Sequence, residues 1–133
     1  MVKTILVTGS TGWLGGKLCE ALVARGVKVV GLARRVTKIA GVLSVRADLA
    51  TGAGLEKLKD FEFDCCVHLA AVAGWGALAD CLEVNVQGTR RLFDALAPYE
   101  QPGHERDALY DNSLVREELG FVPKVNVLTA YQA

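Results

Sequence analysis

Thr4-Ile5-Leu6-Val7-Thr8-Gly9-Ser10-Thr11-Gly12-Trp13-Leu14-Gly15 is the stretch whose reading decides the fold. An apolar run of strand character ends in three spaced glycines, and a helical pattern follows. Gly9 lets the chain turn tightly off the strand. Gly12 lets the backbone approach an anion with no Cβ in the way, and Gly15 lets the new helix pack close to the sheet. The free N–H groups of that helix's first turn, with its dipole, then face the anion. Glycines at this spacing are weak evidence alone. With a strand before and a helix after, they read as a cradle for a pyrophosphate.

Outward from this turn, strand and helix alternate. Residues 3–8 are continuously apolar, as a parallel strand covered on both faces should be. Residues 13–25 predict a helix with Leu14, Leu18, Ala21 and Leu22 on its apolar stripe and Gly26 as its stop. Residues 27–33 and 42–47 predict the second and third strands, 54–60 a short helix, and 64–70 a fourth strand. Residues 77–97 predict one long helix ended by Pro98. On its stripe lie Leu78, Leu82, Thr89, Leu92, Phe93 and Leu96, with Asn85 among them as an amide that must find partners. Such alternation with short connections predicts an α/β fold with helices on both faces of a parallel sheet. On the dinucleotide-binding plan this is a partial Rossmann fold of about four strands in the order 3-2-1-4. Its ligand lies beyond the carboxyl ends of strands one and four.

Composition narrows the function. The chain has 133 residues, 51% of them hydrophobic, with a mean hydropathy of +0.27. That suits one globular core and not a disordered chain. Lys and Arg total 15 against 15 Asp and Glu, so no broad nucleic-acid or anionic-membrane surface is expected. No apolar run approaches the ~20 residues of a membrane span. Residues 1–3 enter a strand at once, so no signal peptide is expected and the location expected is cytoplasmic. Cys19, Cys65, Cys66 and Cys81 lack metal-ligand spacing and read as reduced core thiols, with Cys65 and Cys66 on opposite faces of their strand.

Four segments in order resemble the extended short-chain dehydrogenases/reductases of the NAD-dependent epimerase/dehydratase group. Thr8 to Gly15 is similar to the family's TGxxGxxG cofactor motif, and Asp48-Leu49 to its acidic-apolar pair beside the adenine. His68-Leu69-Ala70-Ala71 is similar to its HxAA segment, and Asn85-Val86-Gln87-Gly88-Thr89 to its NVxGT motif. The resemblance implies a nicotinamide dinucleotide held by Gly9, Thr11, Gly12, Trp13, Leu14, Gly15, Arg34, Asp48, Leu49, Leu69, Ala70 and Ala71. Trp13 is expected beside the pyrophosphate, and the small Ala70 and Ala71 where the cofactor passes. Asp48 reads equally as a turn-former after a strand, and His68 as a satisfied strand histidine with no chemical role. Strand two ends in Ala33-Arg34-Arg35, where an NAD site usually carries an acid for the ribose 2′-hydroxyl. Arginine there suits a 2′-phosphate, so NADP(H) is favoured over NAD(H).

Residues 1–98 read as the NAD(P)-binding domain and 99–133 as a linker and tail. Asp111-Asn112-Ser113 and Arg116 to Pro123 resemble the D-x-S…REELGF-x-P stretch near the end of full-length members. The family's catalytic Tyr-x-x-x-Lys is not found: Gly103 stands four residues after Tyr99 and Leu114 four after Tyr110, and two residues follow Tyr131. In that chemistry the tyrosine moves a proton and the lysine lowers its pKa. The chain therefore reads as an internal deletion, which leaves Asn85 short of partners and strand four an exposed edge unless residues 125–129 cover it. Pairing of two copies through that edge is the homodimer expected. Three functions stay open: a non-catalytic NAD(P)-binding module, an active oxidoreductase or nucleotide-sugar epimerase by family, and a non-functional truncated product.

Overall fold

A computed structural model describes residues 3–72 and 77–96. Trp75, the linker and the tail from residue 99 onward lie outside the described residues. Four parallel strands form one sheet: β1 (Thr4–Thr8), β2 (Lys28–Ala33), β3 (Val42–Arg46) and β4 (Cys65–His68), in the order β3-β2-β1-β4. This is the expected order. In register, Val7 stands opposite Gly31 and Val67, and Thr8 opposite Leu32 and His68. Each strand is shorter than its predicted range. The reason is clearest in β4. Beyond His68, the N–H groups of Leu69 and Ala70 donate to the Thr8 hydroxyl, at 3.0 and 3.1 Å, and not to a strand partner.

Alternation sends each strand's side chains to two faces, and both are covered. On one face Val7 and Val29 are fully buried with Cys19 of α1 (Trp13–Ala24). On the other, Leu6, Val30, Leu32 and Val45 pack with Leu55 and Leu58 of a 3₁₀ helix (Leu55–Asp60) and with Leu92. Each large aliphatic side chain so buried stabilises the fold by roughly 1.5–3 kcal/mol. The thiols of β4 divide as expected: Cys66 faces the second core, while Cys65 is exposed. Only Cys19 is a fully buried cysteine, since Cys66 and Cys81 are half-buried, and all four are free thiols. The expectation of four core thiols is corrected to that extent.

The helices depart from their periodicity in two places. The buried line of α1 runs through Gly15 and Cys19, with Leu18, Leu22 and Val23 half-buried beside it. Leu14 was expected on this stripe and is 57% exposed. The close entry of the backbone at Gly15 sets the facing side, and Leu14 precedes it by one residue and so points away. The second departure is in the long helix, which runs unbroken from Leu78 to Leu96. It begins as α2 (Leu78–Cys81), widens into a π-helical stretch (Leu82–Gly88) and ends as α3 (Thr89–Leu96). The Thr89 hydroxyl donates to the Asn85 carbonyl at 2.6 Å, the back-bond that competes with regular helix pairing. A wider turn advances each residue through a smaller angle, so a 3.6-residue stripe does not carry across it. Leu92 is fully buried, whereas Leu78 and Leu82, expected on the same stripe, are exposed.

Candidate functional site

The glycine turn folds back on its own helix. Gly9 has φ +71°, and its N–H donates to the Leu32 carbonyl at 2.9 Å. A Cβ on Gly9 would lie 3.0 Å from the Ala70 nitrogen, so this turn rests against the backbone that follows β4. At Gly15 a Cβ would lie 2.1 Å from the Gly9 carbonyl oxygen. The need for glycine at Gly15 therefore comes from the loop itself and not, as the sequence suggested, from the sheet. Gly12 is the extended N-cap of α1. No described side chain caps the helix, and its first turn carries no acid. The unpaired N–H groups and the positive end of the dipole together favour an anion. Thr11 is exposed. So are Trp13, at 82%, and Leu14, and neither lines the cavity described next. Only their backbone shapes the turn.

This helix start opens into a cavity of about 660 Å³. Ser10, Thr11, Gly12 and Gly16 form one wall, and Arg34, Arg35, Lys38 and Arg46 bring four cations to the others. No carboxylate among the described residues lines it. A hydroxyl pair holds the walls together: Ser10 Oγ and Thr37 Oγ1 lie 2.5 Å apart, both residues buried, and the Thr37 N–H donates to Ser44 Oγ. A second cavity of about 430 Å³ adjoins Arg34 and Arg46 and is also lined by Asp48, Glu56 and Lys57. Asp48 Oδ1 accepts the Ala50 N–H at 2.9 Å, the turn-forming role weighed for it, while the residue also lines this smaller cavity. The Leu49 side chain is buried in the core and reaches neither cavity. Its carbonyl and that of Ala50 both accept from Arg91 Nη1, at 3.0 and 2.8 Å.

A chain of hydrogen bonds secures the backbone after β4. Thr89 spends its one hydroxyl proton on the Asn85 carbonyl, so His68 Nε2–H must donate to Thr89 Oγ1, 2.9 Å away. That makes Nδ1 the acceptor. The Thr8 hydroxyl donates to it at 2.6 Å and accepts the Leu69 and Ala70 N–H groups with its own lone pairs. Asn85 completes the set: its Oδ1 accepts the Val72 N–H at 2.8 Å and its Nδ2 donates to the Val72 carbonyl at 3.0 Å. The expectation that Asn85 would lack partners is thus corrected, because its partners lie in the backbone beside β4. Burial holds the His68 pKa below its ordinary 6.5, in keeping with a neutral ring. Burial also pushes the Cys66 thiol up to about 12, which leaves it unreactive.

The His68 bonding makes a pH prediction. A proton on Nδ1 would confront the Thr8 hydroxyl, whose lone pairs are already in use, so the unfolded chain takes up that proton more readily. Stability is complete above the unfolded-state value of 6.5 and falls as pH drops from there towards the lowered folded value. Denaturant titrations between neutral and mildly acidic pH should show this decline, and His68→Gln should flatten it. An unchanged slope in that variant would remove His68 as the cause.

Gly9 lies against Leu69-Ala70, and Arg34 shares a cavity with Thr11 and Gly12, but Leu69, Ala70 and Ala71, expected along the cofactor, do not line that cavity. Ala71 is exposed just beyond. Sequence reasoning named Thr8 and Thr89 within motifs but missed their bonding, and it missed Thr37, Arg46 and Arg91 altogether. For Thr8 a signal existed, since alternation puts its hydroxyl on the same buried face as Leu6. The others answer to partners 12 to 42 positions away or in another element, which periodicity does not encode. Among the described residues no group of three or more His, Cys, Asp or Glu side chains converges on a metal-sized space.

Comparison with known proteins agrees with this geometry. Residues 5–108 match the model of the NAD dependent epimerase/dehydratase family. The 2-alkyl-3-oxoalkanoate reductase of Shewanella oneidensis is 35% identical over 100 residues, covering 71% of this chain and 25% of that protein. The dTDP-L-rhamnose 4-epimerase of Burkholderia thailandensis is 35% identical over 115 residues, covering 73% of this chain and 31% of that protein. Among solved structures, the UDP-glucose 4-epimerase of Thermus thermophilus in complex with NAD superposes with a TM-score of 0.65 at 31% identity. That match covers 72% of this chain and 34% of the epimerase. The chain thus spans between a quarter and about a third of the length of these proteins. With most of its length inside the family match and its sheet in the family's strand order, the chain belongs to the NAD dependent epimerase/dehydratase family.

Proposed function

We propose that the chain is a NAD(P)(H)-binding domain of the epimerase/dehydratase type, holding the dinucleotide without turning over a substrate. One observation carries the reading: a turn that needs a left-handed Gly9 and has no room for a Cβ at Gly15 delivers an uncapped helix start into a cavity walled by four cations. The donors fit the ligand. Backbone N–H groups of the first helical turn after Gly12, whose own N–H is spent on the Gly9 carbonyl, meet the pyrophosphate, and Arg34 meets the ribose end. The NAD carried by the Thermus epimerase supports a nicotinamide dinucleotide. Arginine in place of an acid after β2 favours NADP(H) over NAD(H). When bound, the nicotinamide supplies hydride chemistry, but this chain has no Tyr-x-x-x-Lys to pass the accompanying proton. Its four free cysteines suit a reducing, cytoplasmic setting. The β4 edge is where a second copy would pair.

Calorimetric titration of the full chain with NADPH and NADH tests the reading. Saturable binding of both is expected, with NADPH tighter by roughly tenfold or more, since a charge-assisted contact contributes about 1.5–3 kcal/mol. The NADPH advantage should shrink as salt is raised. Absence of saturable heat with either ligand would sink the proposal. Equal affinities would leave dinucleotide binding standing and remove the preference.

A further inference from the structure

We infer that Arg46 is a second specificity residue for the 2′-phosphate, acting beside Arg34 from the neighbouring strand. The inference rests on the dinucleotide reading above. Parallel pairing of β2 with β3 sets Arg46 directly opposite Ala33, the residue before Arg34. Val45 is buried in the core and Arg46, one residue on, is exposed on the other side. The side chain then reaches across to β2: Arg46 Nε donates to the Arg34 carbonyl at 3.1 Å. Arg34 and Arg46 both line the large cavity and the small one.

Two consequences follow from this single bond. Arg46 holds the backbone of Arg34 in place, and its own Nη1 and Nη2 have no protein partner among the described residues. A guanidinium has donors to spare after bonding through Nε, and its planar fork suits a phosphate. Like charges brought to one wall repel unless an anion joins them. The carboxylates of Asp48 and Glu56 line only the small cavity, so on the large-cavity side the pair faces no described acid. A phosphate monoester, with close to two negative charges, meets that demand, whereas a ribose hydroxyl does not. Lysine at this position would offer one compact charge, to be spent on either the carbonyl or the phosphate.

The test compares NADP⁺ and NAD⁺ affinities, by calorimetry at fixed salt, for the wild-type chain, Arg46→Ala and Arg46→Lys. Arg46→Ala should weaken NADP⁺ by roughly tenfold or more and leave NAD⁺ within about twofold, the size of one charge-assisted contact. Arg46→Lys should fall between, because charge is kept and the fork is lost. Melting curves should coincide for all three, since Arg46 is exposed. Loss of both affinities in parallel would make Arg46 a structural support only, and no change in either would overturn the assignment outright. If the wild-type chain binds neither dinucleotide, the reading of the site itself fails and Arg46 with it. A wild type that binds NADP⁺ and an Arg46→Ala variant that binds it equally well would fail Arg46 alone.

Discussion

Gly15→Ala should cost the chain at or above about 3 kcal/mol, whereas Gly16→Ala, one residue along, should stabilise it by about 0.5–1 kcal/mol. The two differ only in what the new methyl meets. At Gly15 it would stand 2.1 Å from the Gly9 carbonyl oxygen and 2.7 Å from the Gly9 carbonyl carbon. Both are backbone, and that backbone is anchored by the Gly9 N–H on Leu32 and pressed against Ala70. Relief requires α1 to lift from the turn, which opens the core around Cys19, Val7 and Val29. At Gly16 the nearest atoms are the Ser10 carbonyl oxygen at 3.7 Å and Ile39 Cδ1 at 3.9 Å, ordinary contact distances. Alanine there loses less backbone entropy on folding than glycine and gains helix propensity. Thermal unfolding followed by circular dichroism reads both. For a domain of this size each kcal/mol moves the midpoint by about 4–8 °C, so Gly15→Ala should fall on the order of 15 °C while Gly16→Ala rises. Shifts of the same sign and size would show that the turn relaxes freely. They would also remove the steric basis for the anion cradle.

Leu92→Ala should destabilise the chain by about 2–5 kcal/mol, and Leu82→Ala by no more than about 0.5 kcal/mol. Both leucines lie on the stripe that the sequence assigns to the core. Leu92 is fully buried in the cluster with Leu6, Val30, Leu49 and Leu58. Removing its side chain leaves a cavity among residues already held by β1, β2 and the 3₁₀ helix, which cannot all close inward. Leu82 is 50% exposed at the start of the π-helical stretch, so truncation there removes little buried area. Denaturant titration of the two variants measures the contrast through their midpoints. A Leu82→Ala loss as large as that of Leu92→Ala would mean that the helix does not widen at Leu82–Gly88 and that the stripe runs its full length.

The expected effects share a cause with the places where sequence reasoning succeeded and where it stopped. Four strands, their order and the helices on both faces were legible because each rests on local signals. Those signals are a continuous apolar run in 4–8, glycines that punctuate 9–15, short connections, and the handedness of parallel crossovers. The glycine turn was legible as an anion cradle for the same reason, since strand, turn and helix are contiguous in the chain. Tertiary structure alone decided the remainder. It chose the Gly15–Cys19 face of α1 over the Leu14 face, gave Asn85 the Val72 backbone as its partner, and laid Arg46 against the carbonyl of Arg34. It also fixed the His68 tautomer through Thr8 and Thr89, 60 and 21 positions away. The physical reason is one of scale. Periodicity and propensity set the direction in which a side chain leaves the backbone. A hydrogen bond or a close backbone approach depends on distances of a few tenths of an ångström between segments far apart in sequence, and only the packed fold supplies those.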